Sequence, residues 1–142
     1  MANDALGHWK ITSILREGPE AVRVRIAPPS ESSTAVAVKN DAFEWGGAYI
    51  SFHLPTEPRL HRSYSVISPA ESRELEFLVK NLRGGQASRF FHTEAKAGMT
   101  LEVVNLGNHL WQPEWNTLPQ DFIAFSGGIG ISPVFSCMQQ AM

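Results

Sequence analysis

Read for alternation alone, the first hundred residues are a succession of short strands. In EAVRVRIAPP, Val22, Val24 and Ile26 point one way and Arg23 and Arg25 the other, the period of two that marks a half-buried strand. ITSILRE before it is a weaker strand, joined to it through the turn GPE. PPSESS is a polar loop, and STAVAVKN can form a third strand. EWGG breaks the chain, AYISFHLP alternates again, and RSYSVIS follows the Pro58 region. ELEFLVKNL places Leu75, Phe77 and Val79 on one face, and MTLEVVNLG is a last strand ending at Gly107. Short strands at this spacing predict a closed antiparallel barrel or a sandwich.

Two regions break the alternation. GGQASRFFHTEAKAG predicts a short helix opened by glycines and closed by Gly98, and NHLWQPEWNTLPQ is an irregular connector. After the connector, DFIAFS is a continuous apolar run, as in a strand covered on both faces. SGGIGISPV then turns the chain into a helix, with Ser132 placed to cap it and Pro133 at its first position.

Composition narrows the class. The 142 residues suit one ordinary domain, and 43% hydrophobic against 18% charged residues is a globular balance. A net charge of −2 argues against general nucleic-acid binding. No apolar run reaches the roughly 20 residues that span a bilayer, and MANDALGHWK has no signal-peptide core, so a cytoplasmic location is expected. The one cysteine, Cys137, excludes an internal disulfide or a four-cysteine metal site and reads as a small buried residue. The five histidines show no zinc spacing, no metal site is expected, and Trp111 and Trp115 read as packing residues.

Three stretches carry candidate chemistry. KNLRGGQASRFFH has Lys80, Arg83 and Arg89 with no acid among them, and Gly84 and Gly85 allow close backbone approach. A helix start there, with the Ser88 hydroxyl, suits a phosphate or pyrophosphate. Taken alone, the stretch reads more simply as a solvated glycine turn. In RSYS, strand alternation pairs Arg62 with Tyr64 and Ser63 with Ser65. Arg62 suits a phosphate and Tyr64 a planar ring, or the pair is an ordinary surface. Gly127, Gly128 and Gly130 before Ser132 and Pro133 form a glycine loop between strand and helix, suited to a dinucleotide or merely to a tight turn.

The order of the three is more specific than any one. RxYS, then GGxxS about twenty residues on, then GGxGxxP, resembles the ferredoxin-reductase-type flavoprotein family from about residue 8 onward. HRSYS and VKNLRGGQAS look most like the reductases of aromatic-degrading oxygenases and the reductase part of flavohaemoglobins. Where the family usually has G-Q-Y/F, this chain has Gly47, Ala48 and Tyr49, so the glutamine is absent.

The resemblance implies a mainly β fold: a six-stranded antiparallel Greek-key barrel over residues 1–107 with a short helix. A connector at 108–120 follows, then the first β-α unit of an α/β nucleotide-binding domain at 121–142, cut short early in that domain. It implies an FAD-dependent NAD(P)H oxidoreductase that passes hydride to FAD and electrons to an iron–sulfur, haem or oxygenase partner. FMN is less favoured, since GGxxS suits a pyrophosphate. By resemblance, Arg62 holds a flavin phosphate, Tyr64 lies against the isoalloxazine and Ser65, beside Ser63, sits near N5, so Tyr64 and Ser65 are the catalytic candidates. Gly85, Gln86, Ala87 and Ser88, opened by Gly84, bind the pyrophosphate. Leu78, Lys80 and Leu82 flank the cofactor. Gly127, Gly128, Gly130 and Ser132 approach the nicotinamide nucleotide and the flavin edge. The alternatives are a non-catalytic barrel acting as a subunit or regulator, and a siderophore-type ferric reductase, which also carries RxY[ST].

If the helix after the loop has only this barrel to lean on, Ile123, Phe125, Val134, Phe135 and Met138 are expected to form an apolar patch.

Overall fold

The computed structural model describes residues 6–29, 45–69, 72–111, 113–117 and 123–142. Six strands form one antiparallel sheet: β1 Gly7–Glu17, β2 Ala21–Ala27, β3 Ala48–Leu54, β4 Leu60–Ser65, β5 Leu75–Lys80 and β6 Thr100–Asn108. Their order is β4-β3-β6-β1-β2-β5, so β6 inserts between β3 and β1 in the Greek-key manner. The run STAVAVKN lies outside the described residues. The first strand begins four residues earlier than ITSILRE predicts, because Trp9 and Ile11 continue the inward set while His8 and Lys10 face out.

Alternation puts Val22, Val24 and Ile26 of β2 opposite Val79, Phe77 and Leu75 of β5, all buried. With Trp9, Ile50, Phe52, Leu101 and Val103 they fill the barrel. On the outer face the same register sets Arg25 opposite Glu76, whose carboxylate accepts from Arg25 Nε at 2.7 Å. Arg23 pairs with Glu17 across β1–β2.

The two end strands scarcely meet. Val66 and Phe77 form a single bridge, and Ile67 N–H donates to Glu76 O at 2.8 Å. Beyond the bridge, β4 and β5 do not pair, leaving a seam along Arg62–Ser65 and Leu78–Lys80.

The predicted short helix spans α1, Gln86–Arg89, and continues as a wider π-helical turn, Phe90–Glu94. It ends at Glu94, short of Gly98, after burying Phe90 and Phe91 in the core. The connector contains a 3₁₀ turn at Pro113–Thr117. The strand expected from DFIAFS does not form: residues 123–127 have no ladder partner, and Ile123 and Phe125 are 86% and 92% exposed. A parallel strand needs a neighbour to take its backbone hydrogen bonds, and among the described residues none lies beside 123–127. The helix after the loop, α2, is Ile131–Ala141. Gly130 occupies the cap position without a side-chain cap, so Ser132 is not the cap and Pro133 sits third rather than first. Proline is tolerated there because the first helical N–H groups have no intrahelical acceptor. Among the described residues no helix is long and apolar enough to cross a membrane.

Candidate functional site

The seam opens into a cleft of about 430 Å³. One wall is β4, which contributes Arg62, Ser63, Tyr64 and Ser65. The other is the end of β5 and the turn after it, with Leu78, Lys80, Leu82, Gly85, Gln86, Ala87 and Ser88. Gly130 and Ser132 close one side. The three sequence motifs therefore converge, although they are far apart along the chain. Gly84, Gly127 and Gly128 do not line the cleft, whereas Val79, Ile129 and Pro133, not singled out from the sequence, do. Val79 reads as core by alternation, and its presence follows from the unclosed seam, which exposes β5 backbone. Ile129 and Pro133 lie inside the glycine-loop pattern and could have been taken from it. Ala48, at the position of the family's glutamine, is fully buried and lies away from the cleft.

Tyr64 owes its place to the core. Its ring stacks on Phe77 (5.1 Å, 26°) and Phe52 (5.7 Å, 15°) and meets the edge of Phe91 at 5.8 Å. Burial pushes its phenol pKa up, against the opposing pull of Arg62, so the hydroxyl stays protonated at neutral pH. Arg62 donates to its neighbour His61 O at 2.7 Å, and no carboxylate pairs with it among the described residues. Lys80 lies 3.8 Å from Glu20, and Arg89 lies 3.6 Å from Glu94. Arg62 is thus the cleft cation with the least competition. Ser63 Oγ is already paired with Ser51 Oγ at 2.6 Å.

The glycine turn is built around Ser88. Leu82 N–H donates to Ser88 Oγ at 3.2 Å, while that hydroxyl lies 3.0 Å from Gly85 O and 3.2 Å from Leu82 O. The hydroxyl read as a phosphate donor is therefore spent inside the turn, where it fixes the backbone. What the turn offers a ligand is main chain: the amides of Gln86, Ala87 and Ser88 at a helix start. Gly84 supplies the left-handed residue at φ +77°.

At the cleft a buried polar atom is left over. Ser132 is 4% exposed, yet its Oγ has no partner among the described residues, and the residue lines the cleft. A buried hydroxyl without a partner is costly. A ligand bearing acceptors along the cleft would satisfy it, next to an unpaired arginine and free amides. A flavin dinucleotide has this chemistry, with a polar ring edge and two phosphates. The cleft volume also falls in the roughly 300–1,000 Å³ range of cofactor sites. No three His, Cys, Asp or Glu side chains among the described residues are arranged to hold a metal ion.

Comparison with known proteins gives the class of the barrel. A family model described as an oxidoreductase FAD-binding domain matches residues 43–106. Methane monooxygenase component C of Methylosinus trichosporium is 36% identical over 95 residues, which is 66% of this chain and 27% of that protein. Tetrachlorobenzoquinone reductase of Sphingobium chlorophenolicum is 36% identical over 98 residues, 66% of this chain and 28% of that protein. The chain thus spans less than a third of the length of these relatives. Among solved structures, phthalate dioxygenase reductase shares the fold at a TM-score of 0.77 and 24% identity, covering 97% of this chain and 40% of that one. The family model, the relatives and the shared fold together support a ferredoxin-reductase-like flavoprotein family for this chain.

Proposed function

We propose that this chain binds FAD in the β4–β5 seam. On this reading it forms the flavin-binding part of a reductase that takes hydride from NAD(P)H and passes electrons to an iron–sulfur, haem or oxygenase partner. The observation that carries the reading is the convergence of RSYS, GGQAS and the Ser132 loop on one cleft with an unpaired arginine and an orphaned hydroxyl. The relatives point the same way: one is a component of methane monooxygenase and another a quinone reductase.

The bound flavin would supply the redox chemistry; the chain supplies orientation, charge and dryness. Arg62 holds a phosphate through charge-assisted bonds. The amides from Gln86 to Ser88 hold the pyrophosphate, and Ser88 keeps those amides aligned. Tyr64, locked by Phe52 and Phe77, presents a rigid flat surface and a protonated hydroxyl to the ring. Ser65 and Ser132 flank the ring edge as hydrogen-bond partners. Leu78 and Leu82 keep water from one side, and Lys80 adds positive charge at the rim. Residues 1–107 form the flavin barrel, 108–120 the connector, and 121–142 the opening of a nucleotide-binding unit whose glycine loop reaches the cleft at Ile129 and Gly130.

Titration of the purified chain with FAD, followed by flavin absorbance and fluorescence, tests the reading. Arg62→Ala loses a hydrogen bond to charge and should weaken binding about 10- to 100-fold. Ser88→Ala should weaken it less, through a loosened turn. A folded wild-type chain that takes up no FAD at micromolar concentration removes the proposal.

A further inference from the structure

Helix α2 is amphipathic with its faces exchanged. Ile131, Phe135 and Met138 are each nearly half exposed, whereas Ser132 and Ser136 are only 4% exposed. Ser132, Ser136 and Gln140 recur every four residues and so fall on one stripe, which faces the barrel. Two of the three are engaged with the turn before β3. Ser136 Oγ donates to Trp45 O at 2.7 Å and accepts from Gly47 N–H at 3.2 Å. Gln140 Oε1 accepts from Trp45 N–H at 3.2 Å. Between these residues, a Cβ on Gly46 would come within 2.8 Å of Trp111 and 3.0 Å of Gln140 Cβ, so the helix lies flush against the turn. The third member of the stripe, Ser132, lines the cleft, and its buried Oγ has no partner among the described residues.

We infer that Ser136, seconded by Gln140, is a positioning residue whose bonds to Trp45 and Gly47 fix the rotation of α2 so that Ser132 presents its hydroxyl to the flavin. This rests on the flavin reading above. The physical case is that these bonds tie one face of α2 to the turn before β3, while Ile131, Phe135 and Met138 stay nearly half exposed. Successive residues of a helix are 100° apart, so a modest roll swings a side chain out of a cleft. Of the apolar side chains on α2, Cys137 is buried, whereas Ile131 and Phe135 only border a cavity shared with Ile67 and Leu78 and so pack loosely. Hydrogen bonds to backbone groups of a rigid turn are directional, and here they are the constraint.

The test is a double-mutant cycle on FAD affinity with Ser132→Ala and Ser136→Ala. Each alone should weaken FAD binding about 3- to 10-fold, the range of one neutral hydrogen bond. The double variant should be no weaker than the worse single by more than about twofold. Ser136→Ala should also reproduce the change that Ser132→Ala makes in the visible absorption band of bound flavin, which mere destabilisation would not do. In the flavin-free protein, Ser136→Ala should speed hydrogen exchange at the Gly47 amide and at the amides from Gly128 to Ser132. Should Ser136→Ala fail to fold, Gln140→Leu removes one latch bond at similar bulk and should move the same spectrum to a smaller extent. Effects that multiply in the double variant, exchange unchanged from Gly128 to Ser132, or an unmoved spectrum in a folded latch variant overturn the inference. A wild-type chain that binds no FAD overturns instead the flavin reading, and the role of Ser132 with it.

Discussion

At the scale of single residues, the glycine turn separates two reasons for being glycine. Gly84 has open space around it but a left-handed backbone at φ +77°. Gly85 has an ordinary backbone at φ −75°, yet a Cβ there would stand 2.6 Å from Ser88 Oγ and 3.1 Å from Leu82 O. Gly84→Ala therefore costs conformational strain, about 1–2 kcal/mol. Gly85→Ala forces Ser88 out of the bonds that close the turn, about 1–3 kcal/mol, and disturbs the amides beyond it. Urea unfolding of both variants, with FAD affinity measured beside it, should show Gly85→Ala losing more binding per unit of stability lost. The sequence made Gly85 and Ser88 visible as a pair through GGxxS. It did not show that the serine serves the turn, because the same hydroxyl could point either way until the backbone is closed.

At the scale of elements, one row of side chains crosses four strands on the outer face. His8, Glu102, His53 and His61 stand opposite one another in β1, β6, β3 and β4. Arg59 pairs with Glu102, and His53 Nδ1 is buried 3.9 Å from that carboxylate, without a hydrogen bond. Burial first, then Arg59 and His61, lower the His53 pKa below its ordinary 6.5. The unfolded chain then takes up a proton that the folded chain resists. The stability this group contributes is whole above pH 6.5 and is lost as pH falls through the lowered value. His53→Gln should flatten that acid limb in urea unfolding followed across pH 7 to 5, and an unchanged slope would count against it. None of this row is legible from spacing, since four histidine and glutamate positions in four strands become neighbours only through register. The strands themselves were legible, because alternation is local. DFIAFS misled for the complementary reason: a continuous apolar run states that burial is wanted, not that a partner is present.

At the scale of the whole molecule, the site exists because the barrel does not close. A single bridge at Val66 and Phe77 ends the β4–β5 pairing, and the cleft begins on the next residues. Phe77 therefore has two duties: its backbone ends the closure, and its ring supports Tyr64 and contacts Phe52 and Phe91. Phe77→Ala should cost about 3–5 kcal/mol of stability, as a large cavity in an aromatic cluster does. Phe77→Leu, which keeps most of the volume, should fold well but bind FAD more weakly because Tyr64 loses its stacking surface. Thermal unfolding and FAD titration of the two variants separate these effects. The motifs announced which residues would meet; the gap in which they meet is a property of strand order and appears only with the sheet.

The mode of attachment of α2 also has a calorimetric consequence. Its hold on the barrel combines hydrogen bonds at Ser136 and Gln140 with the buried Cys137, while Ile131, Phe135 and Met138 stay nearly half exposed. Unfolding the barrel hydrates a large apolar core and so carries a large positive heat-capacity change. Detaching the helix hydrates a smaller apolar area and carries a smaller change. The stability of the barrel accordingly curves more strongly with temperature than the attachment of the helix does. The two events belong to different curves of stability against temperature.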